Sequence, residues 1–258
     1  MSMWRIQWVA FNTIFHKEVR RFMRIWAQTL LPPAITMTLY FVIFGQLIGK
    51  RVGDMGGVDY MAFIVPGLIM MSVITSAYSN VSSSFFSNKF QHSVEELMVA
   101  PVHPLTMLFG YVAGGMARGI AVGFIVTLVS MYFTTLKIHN LGLVVVVVIL
   151  AAAVFSLGGF INALLATKFD DVAIVPTFFI APLTYLGGVF YSIDLLPVFW
   201  QKVSLLNPIL HLVNTFRYGI LGISDINIIY AFLMLIGFVI GLTLWSLWLL
   251  NKGTGLRK

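Results

Sequence analysis

Charged residues cut this chain into long apolar intervals, and the lengths of the intervals predict its elements. A membrane-crossing helix needs about 20 mainly apolar residues. Five intervals between consecutive charges are that long: 25–49 between Arg24 and Lys50, 60–88 between Asp59 and Lys89, 138–167 between Lys137 and Lys168, 172–193 between Asp171 and Asp194, and 226–251 between Asp225 and Lys252. A sixth, 119–136, begins after Arg118 and is 18 residues long. Trimmed to their apolar cores, with the third extended back to 105, they predict spans at 27–48, 61–83, 105–136, 141–166, 172–191 and 227–250. The expectation is an all-α integral membrane protein with six transmembrane helices, one domain over 1–258, and both termini on one side.

Two other apolar segments are expected not to span. Trp4, Trp8, Phe11, Phe15, Val19, Phe22 and Trp26 recur at intervals of three and four, which draws one apolar stripe along a helix over 3–24. Arg5, Lys17, Arg20, Arg21 and Arg24 lie away from the stripe, so this amphipathic helix is expected in the inner headgroup layer, where it binds anionic lipid, docks a partner, or does both. Between Asp194 and Asp225 the chain is apolar but interrupted by Pro197, Lys202, Asn207, Pro208 and Arg217. Ile193–Leu206 and Ile209–Leu221 then predict two short helices turning at Asn207-Pro208, a re-entrant hairpin over 193–222. Backbone freed at such a turn is tolerated only where protein or a water-filled cavity satisfies it, which puts the hairpin at the outer mouth of a pathway.

Composition agrees with lipid as the solvent. Of the residues, 59% are hydrophobic and 10% charged, against about 25% charged in an ordinary soluble domain. The net charge of +7 does not indicate nucleic acid, because the basic residues gather at the chain ends rather than in one groove-sized patch. Lys and Arg favour the cytoplasmic side. With the termini inside, that side holds ten: Arg5, Lys17, Arg20, Arg21, Arg24, Lys89, Lys168, Lys252, Arg257 and Lys258. The outer side holds five: Lys50, Arg51, Lys137, Lys202 and Arg217. The first 24 residues carry five basic residues and no unbroken apolar core, so the first span is expected to stay as an uncleaved anchor.

The chemistry the sequence lacks narrows its function. No GxxxxGK[ST] phosphate loop occurs; Gly45–Lys50 (GQLIGK) has the wrong spacing, so ATP hydrolysis belongs elsewhere. The five histidines show no metal-binding pairing, there is no cysteine, and no metal site is expected. Proton- and sodium-coupled carriers keep ionisable groups inside the membrane, whereas Glu18, Asp54, Asp59, Glu95, Glu96, Asp170, Asp171, Asp194 and Asp225 are all read as loop or span-end residues. Drive is therefore expected from a partner at the inner face; a passive channel needs none. Arg118 is the ionisable candidate at depth. It either snorkels to the inner interface, the preferred reading, or faces an inner-leaflet cavity that attracts an anion. Gly110, Gly114, Gly115, Gly119 and Gly123 on the same helix form a small-residue ridge for close packing, within the subunit or across a dimer.

Three stretches carry a family resemblance. They are RRFMRIW (Arg20–Trp26) leading into a span with Pro32-Pro33 near its start, FQHSVEELMVAPV (Phe90–Val102), and PLTYLGGVFYSIDLLP (Pro182–Pro197) followed by NPILHLVNTFRYGILG (Asn207–Gly222). With the span count, the chain resembles the ABC-2-type transporter permeases, and within them looks like the YadH-like inner-membrane transport permeases of Gram-negative bacteria. The resemblance implies a permease homodimer bound to two copies of an ABC ATPase, which would hold the ATP and Mg. It also implies a cytoplasmic coupling segment over 88–101, with Phe90, Glu95, Glu96, Leu97, Ala100 and Pro101 at the ATPase contact. Taken alone, Glu95 and Glu96 are equally a solvated helix face. Asn207-Pro208 matches the turn of the family's outer hairpin and Arg217 a basic position in its second arm, where capping of carbonyls is the plain alternative; Asp194 departs from the pattern. The expected function is a permease subunit exporting a lipid-linked, glycolipid or amphiphilic substrate from the bacterial inner membrane, with both termini cytoplasmic. A scaffold that regulates an ATPase, and a secondary carrier or channel, are the alternatives.

Overall fold

A computed structural model describes residues 2–255; Arg257 and Lys258, counted above on the inner side, lie outside it. Helix α1 (Met3–Arg24) is followed by α2 (Trp26–Thr29), α3 (Leu31–Tyr40), a widened π segment (Phe41–Ile48) and α4 (Gly49–Val52). A two-stranded hairpin pairs β1 (Asp54–Met55) antiparallel with β2 (Val58–Asp59). Gly56 and Gly57 make its turn at φ 62° and 81°, a backbone that only glycine adopts freely. Asp59 then caps α5 (Tyr60–Phe90), its carboxylate accepting from the Met61 N–H at 3.0 Å. Beyond it come α6 (Ser93–Val99), α7 (Pro104–Phe133), α8 (Leu141–Leu165), α9 (Phe169–Val175), α10 (Ala181–Tyr185), α11 (Val198–Ser204), α12 (Pro208–Leu221) and α13 (Ile228–Lys252).

Among the described residues, five helical runs are long and apolar enough to cross a membrane: Trp26–Val52, α5, α7, α8 and α13. The interval predicted at 172–191 differs. Its helix stops at Tyr185 and is widened into π turns over Pro176–Ile180. Pro176 and Pro182 each remove an N–H from the ladder, and Gly188, at φ 65°, turns the chain out of helix. The predicted coupling and hairpin segments are also less helical than their ranges. Helix occupies the end of α5 to Phe90 and Ser93–Val99 within 88–101, and the first arm of 193–222 holds only a 3₁₀ turn (Ile193–Leu195) and α11.

Helix α5 is the hub, buried along its length between α7, α8 and α12. Its small buried residues, among them Ser72, Ser76, Ala77 and Ser82, let those neighbours approach, and Gly67 makes room for Val189. The ridge on α7 is two-sided. A Cβ at Gly110 would stand 2.8 Å from Ile14 of α1, and one at Gly119 2.9 Å from the Ala77 methyl of α5. Gly114 faces α1 at Glu18, while Gly115 and Gly123 face α5 at Val81 and Val73. All five glycines therefore serve contacts within the subunit.

The contact with α1 revises the expected stripe. Trp4, Trp8 and Trp26 are exposed, and the side of α1 buried against α5 and α7 presents Ile14 and Glu18 together with Phe22 of the stripe. Glu18 is thus no loop residue: it is fully buried, since glycine at 114 leaves room for its side chain. Ser84 donates to it at 2.5 Å and Arg21 stands 3.5 Å away. Arg21 in turn donates to the Asn80 carbonyl and side chain, both at 2.9 Å. Burial pushes the Glu18 carboxyl above its ordinary range, opposed by the positive charge of Arg21.

Candidate functional site

The first span supplies one wall of a cavity of about 440 Å³. Pro33 has no N–H, so the carbonyl four residues earlier, on Thr29, has no helical partner. Arg118 takes that place, its Nη2 donating to Thr29 O at 3.3 Å. Arg118 sits near the middle of the 30-residue α7, about 21 Å from its start at 1.5 Å per residue. Around it are Gln28, Thr36 and Tyr40 from the first span, Thr75, Ser76, Tyr78 and Ser79 from α5, and Pro176, Ile180 and Thr184 from the broken helix. The structure places Arg118 on the wall of this cavity.

Two features leave donor capacity unspent around this cavity. Among the described residues no carboxylate lies within ion-pair distance of Arg118. Its Nε is buried without a hydrogen-bond partner, as is the Tyr78 hydroxyl. A guanidinium carries five donors in a fixed fork, and here a single bond to a neutral carbonyl engages it. Buried donors left unpaired cost about 1–3 kcal/mol each, which favours any ligand that supplies acceptors.

The elements around the end of α5 are tied together by lone polar side chains. Lys89, at the end of α5, donates to the carbonyls of Leu164 and Ala166 at 2.6 and 2.7 Å, satisfying the C-terminus of α8. Past it the chain reverses at His92, φ 60°, whose ring meets Glu95 at 2.7 Å. Helix α6 buries Val94, while Glu95, Glu96, Met98 and Val99 are exposed and Leu97 and Ala100 half-buried. Phe90 is also exposed, and its ring lies tilted against Phe169 with centroids 4.9 Å apart. Pro101 follows, held through its carbonyl by Gln7 of α1 at 2.9 Å. Basic residues Lys17, Arg20, Arg21 and Arg24 line an open cleft along α1 with His16; Arg5 is exposed.

At the far end, Asn207 caps α12 by accepting from the Ile209 N–H at 2.9 Å, with Pro208 in the first turn, and donates to Leu183 O at 2.6 Å. Pro197 precedes α11 and is exposed. Arg217 is completely buried. It donates to Gly188 O at 2.6 Å, Phe63 O at 3.3 Å and the Asn214 side chain at 3.3 Å, and its guanidinium lies 3.8 Å from the centre of the Phe63 ring. Arg217 thus clasps α5, the Gly188 turn and α12. Among the described residues no cluster of His, Asp or Glu has the grouping of a metal site.

Sequence reasoning missed Glu18, Gln7 and Lys89. For Glu18 a signal existed: it stands four residues from both Ile14 and Phe22, on one face of α1. Gln7 carries no such signal.

A bundle of long apolar helices around a largely apolar cavity, with hydroxyl groups and an uncompensated cation on its wall, has the build of a membrane permease. The chain belongs to the ABC-2 type transporter family, whose match covers residues 9–221. It is 55% identical over 258 residues to the inner membrane transport permease YadH of Escherichia coli strain K12, covering 99% of this chain and 100% of that protein. It is also similar to nodulation protein J of Rhizobium leguminosarum bv. viciae, 26% identical over 74% of each chain, and of Neorhizobium galegae, 22% identical over 86% of this chain and 85% of that protein. It is accordingly a permease subunit of a transporter, and its family implies an ABC ATPase as partner.

Proposed function

We propose that this permease exports an anionic amphiphile, of the lipid-linked or glycolipid class, across the bacterial inner membrane. The observation that carries the reading is Arg118, a cation with one weak partner in a cavity lined otherwise by hydroxyl, aromatic and apolar groups. An acidic headgroup meets the guanidinium while an acyl portion meets the apolar walls. The likeness to YadH, an inner membrane transport permease by name, supports the location.

In this arrangement the broken helix around Pro176–Ile180 completes a set of six spans, α1 lies at the inner interface, and 193–222 forms the outer hairpin of a single domain with both termini cytoplasmic. Two permeases pair with two ATPase subunits, which hold ATP and Mg. The segment 88–101 is the ATPase contact, supported by the exposure of Phe90, Glu95, Glu96, Met98 and Val99 on a short helix anchored inward by Val94. Arg5, Lys17, Arg20 and Arg24 attract anionic lipid.

Proteoliposomes containing the permease and its ATPase test this with a fluorescent short-chain anionic phospholipid and its zwitterionic counterpart. Losing one charge-assisted interaction of about 1.5–3 kcal/mol should cut outward transport of the anionic probe roughly 10- to 100-fold in Arg118→Ala. The zwitterionic probe and assembly should change little. Equal transport of the anionic probe by wild type and variant would remove Arg118 from the site. Glu95→Lys with Glu96→Lys should reduce co-purification of the ATPase, and unchanged recovery would move the contact elsewhere. Flux without any ATPase would mark a carrier or channel, and hydrolysis without flux of either probe a scaffold.

A further inference from the structure

The link between α6 and α7, Ala100–His103, is weakly built. Pro101 and Pro104 have no N–H to donate, and Ala100 and Val102 make only local bonds, to Glu96 O at 3.1 Å and Ala100 O at 2.7 Å. One side chain from a distant part of the chain organises it. The Gln7 amide donates to Pro101 O at 2.9 Å, and its oxygen accepts from the His103 N–H at 2.9 Å and the Thr106 hydroxyl at 2.7 Å. Every polar function of this carboxamide but one N–H is spent on the stretch from Pro101 to Thr106, far away in sequence. No shorter or purely accepting side chain repeats that pattern.

Gln7 is also at one end of a stiff connection. From it α1 runs alongside α7 in the same direction: Gln7 meets Thr106, Ile14 meets Gly110, and Glu18 meets Gly114. Beyond Glu18, Arg21 binds Asn80 of α5, and Thr29 meets Arg118 at the cavity wall. From Gln7 to Arg24, at 1.5 Å per residue, α1 is about 26 Å long, and after a bend at Ile25 the short α2 carries the chain on to Thr29.

We infer that Gln7 is the positioning residue that joins the exit of the coupling segment to α1, so that displacement of α6 by the ATPase reaches the Arg118 cavity through α1 as well as α7. This rests on the proposed role of 88–101 as the ATPase contact. Gln7→Leu removes all three bonds and Gln7→Glu only the one to Pro101. The chain contains no cysteine, so a double variant, Gln7→Cys with Thr106→Cys, can be bridged by a short bifunctional thiol reagent without other labelling.

The measurement is probe molecules transported per ATP hydrolysed in the reconstituted complex. Gln7→Leu should keep its ATPase bound and hydrolysing within about twofold of wild type while that ratio falls at least fivefold. Gln7→Glu should lie between. In the double variant the ratio should be low before the two introduced thiols are bridged and restored afterwards, which a merely destabilised protein would not show. An unchanged ratio in Gln7→Leu, or no recovery on bridging, overturns the inference. If the Glu95→Lys, Glu96→Lys protein still recovers its ATPase normally, the docking assignment has failed instead. That result is independent of Gln7.

Discussion

Arg217 offers a sharp test of how the outer end is held. Changing it to Met keeps an apolar side chain of similar length but deletes every donor. The direct losses are three bonds, the shortest at 2.6 Å to Gly188 O, and a stacking contact at 3.8 Å on Phe63. A desolvated cation–π contact is worth about 2 kcal/mol, and the acceptors left behind cost about 1–3 kcal/mol each if no water reaches them. Against that, a fully buried cation no longer has to be desolvated, a gain of several kcal/mol. Removing one partner from a buried charged network has a net cost of about 3–5 kcal/mol. At about 2–4 °C per kcal/mol for a chain of this size, Arg217→Met should lower the melting temperature of the detergent-solubilised protein by roughly 6–20 °C. Arg217→Lys should recover only part, because an ammonium cannot reach three acceptors in the guanidinium plane. A shift below about 2 °C for Arg217→Met would refute the clasp.

Two more predictions follow from the junction of α1. Gly114→Leu has no room beside Glu18, so overpacking of about 1–3 kcal/mol should lift α1 away and make Ser84→Cys reactive to maleimide. Gly237→Leu, where nothing lies within 4 Å, should leave Ser84→Cys protected. Glu18 has its carboxyl raised above the ordinary 4.5 by burial. Its folded form therefore favours the proton, so docking is strongest below about pH 4.5 and weakens as pH rises through the raised value. Glu18→Gln should flatten that decline in a melting-temperature series against pH, and parallel curves would count against it.

Much of the scaffold was legible because lipid excludes charge: the gaps between charged residues, trimmed to their apolar cores, match the helical bounds of α8 and α13 to within two residues at each end. The broken helix after Asp171 was not, although Pro176, Pro182 and Gly188 were visible, since apolar length says nothing about the hydrogen-bond ladder. Arg118 stood out at depth in the sequence, yet its direction depends on the carbonyl that Pro33 frees on another helix. Glu18 was grouped with loop acids because a lone carboxylate carries no apolar signal, although on α1 it lies beside the aromatic stripe and shares a face with Phe22. The one-residue offset between Gly110/Gly114 and Gly115/Gly119/Gly123 turns the two sets about 100° apart at 3.6 residues per turn, which is why a single ridge became two seats. Gln7 was invisible, as its role exists only where two distant segments meet.

The glycines of α7 and α13 differ in what surrounds them. On α7 they are the points where α1 and α5 come closest, and any added carbon must displace a neighbour. On α13, Gly237 and Gly241 touch nothing within 4 Å. The freedom to vary is therefore unevenly shared along the chain. The helix that relies most on missing side chains, α7, is the one least able to accept more bulk, whereas α13 can change its outward surface to suit a different lipid or neighbour without disturbing the cavity.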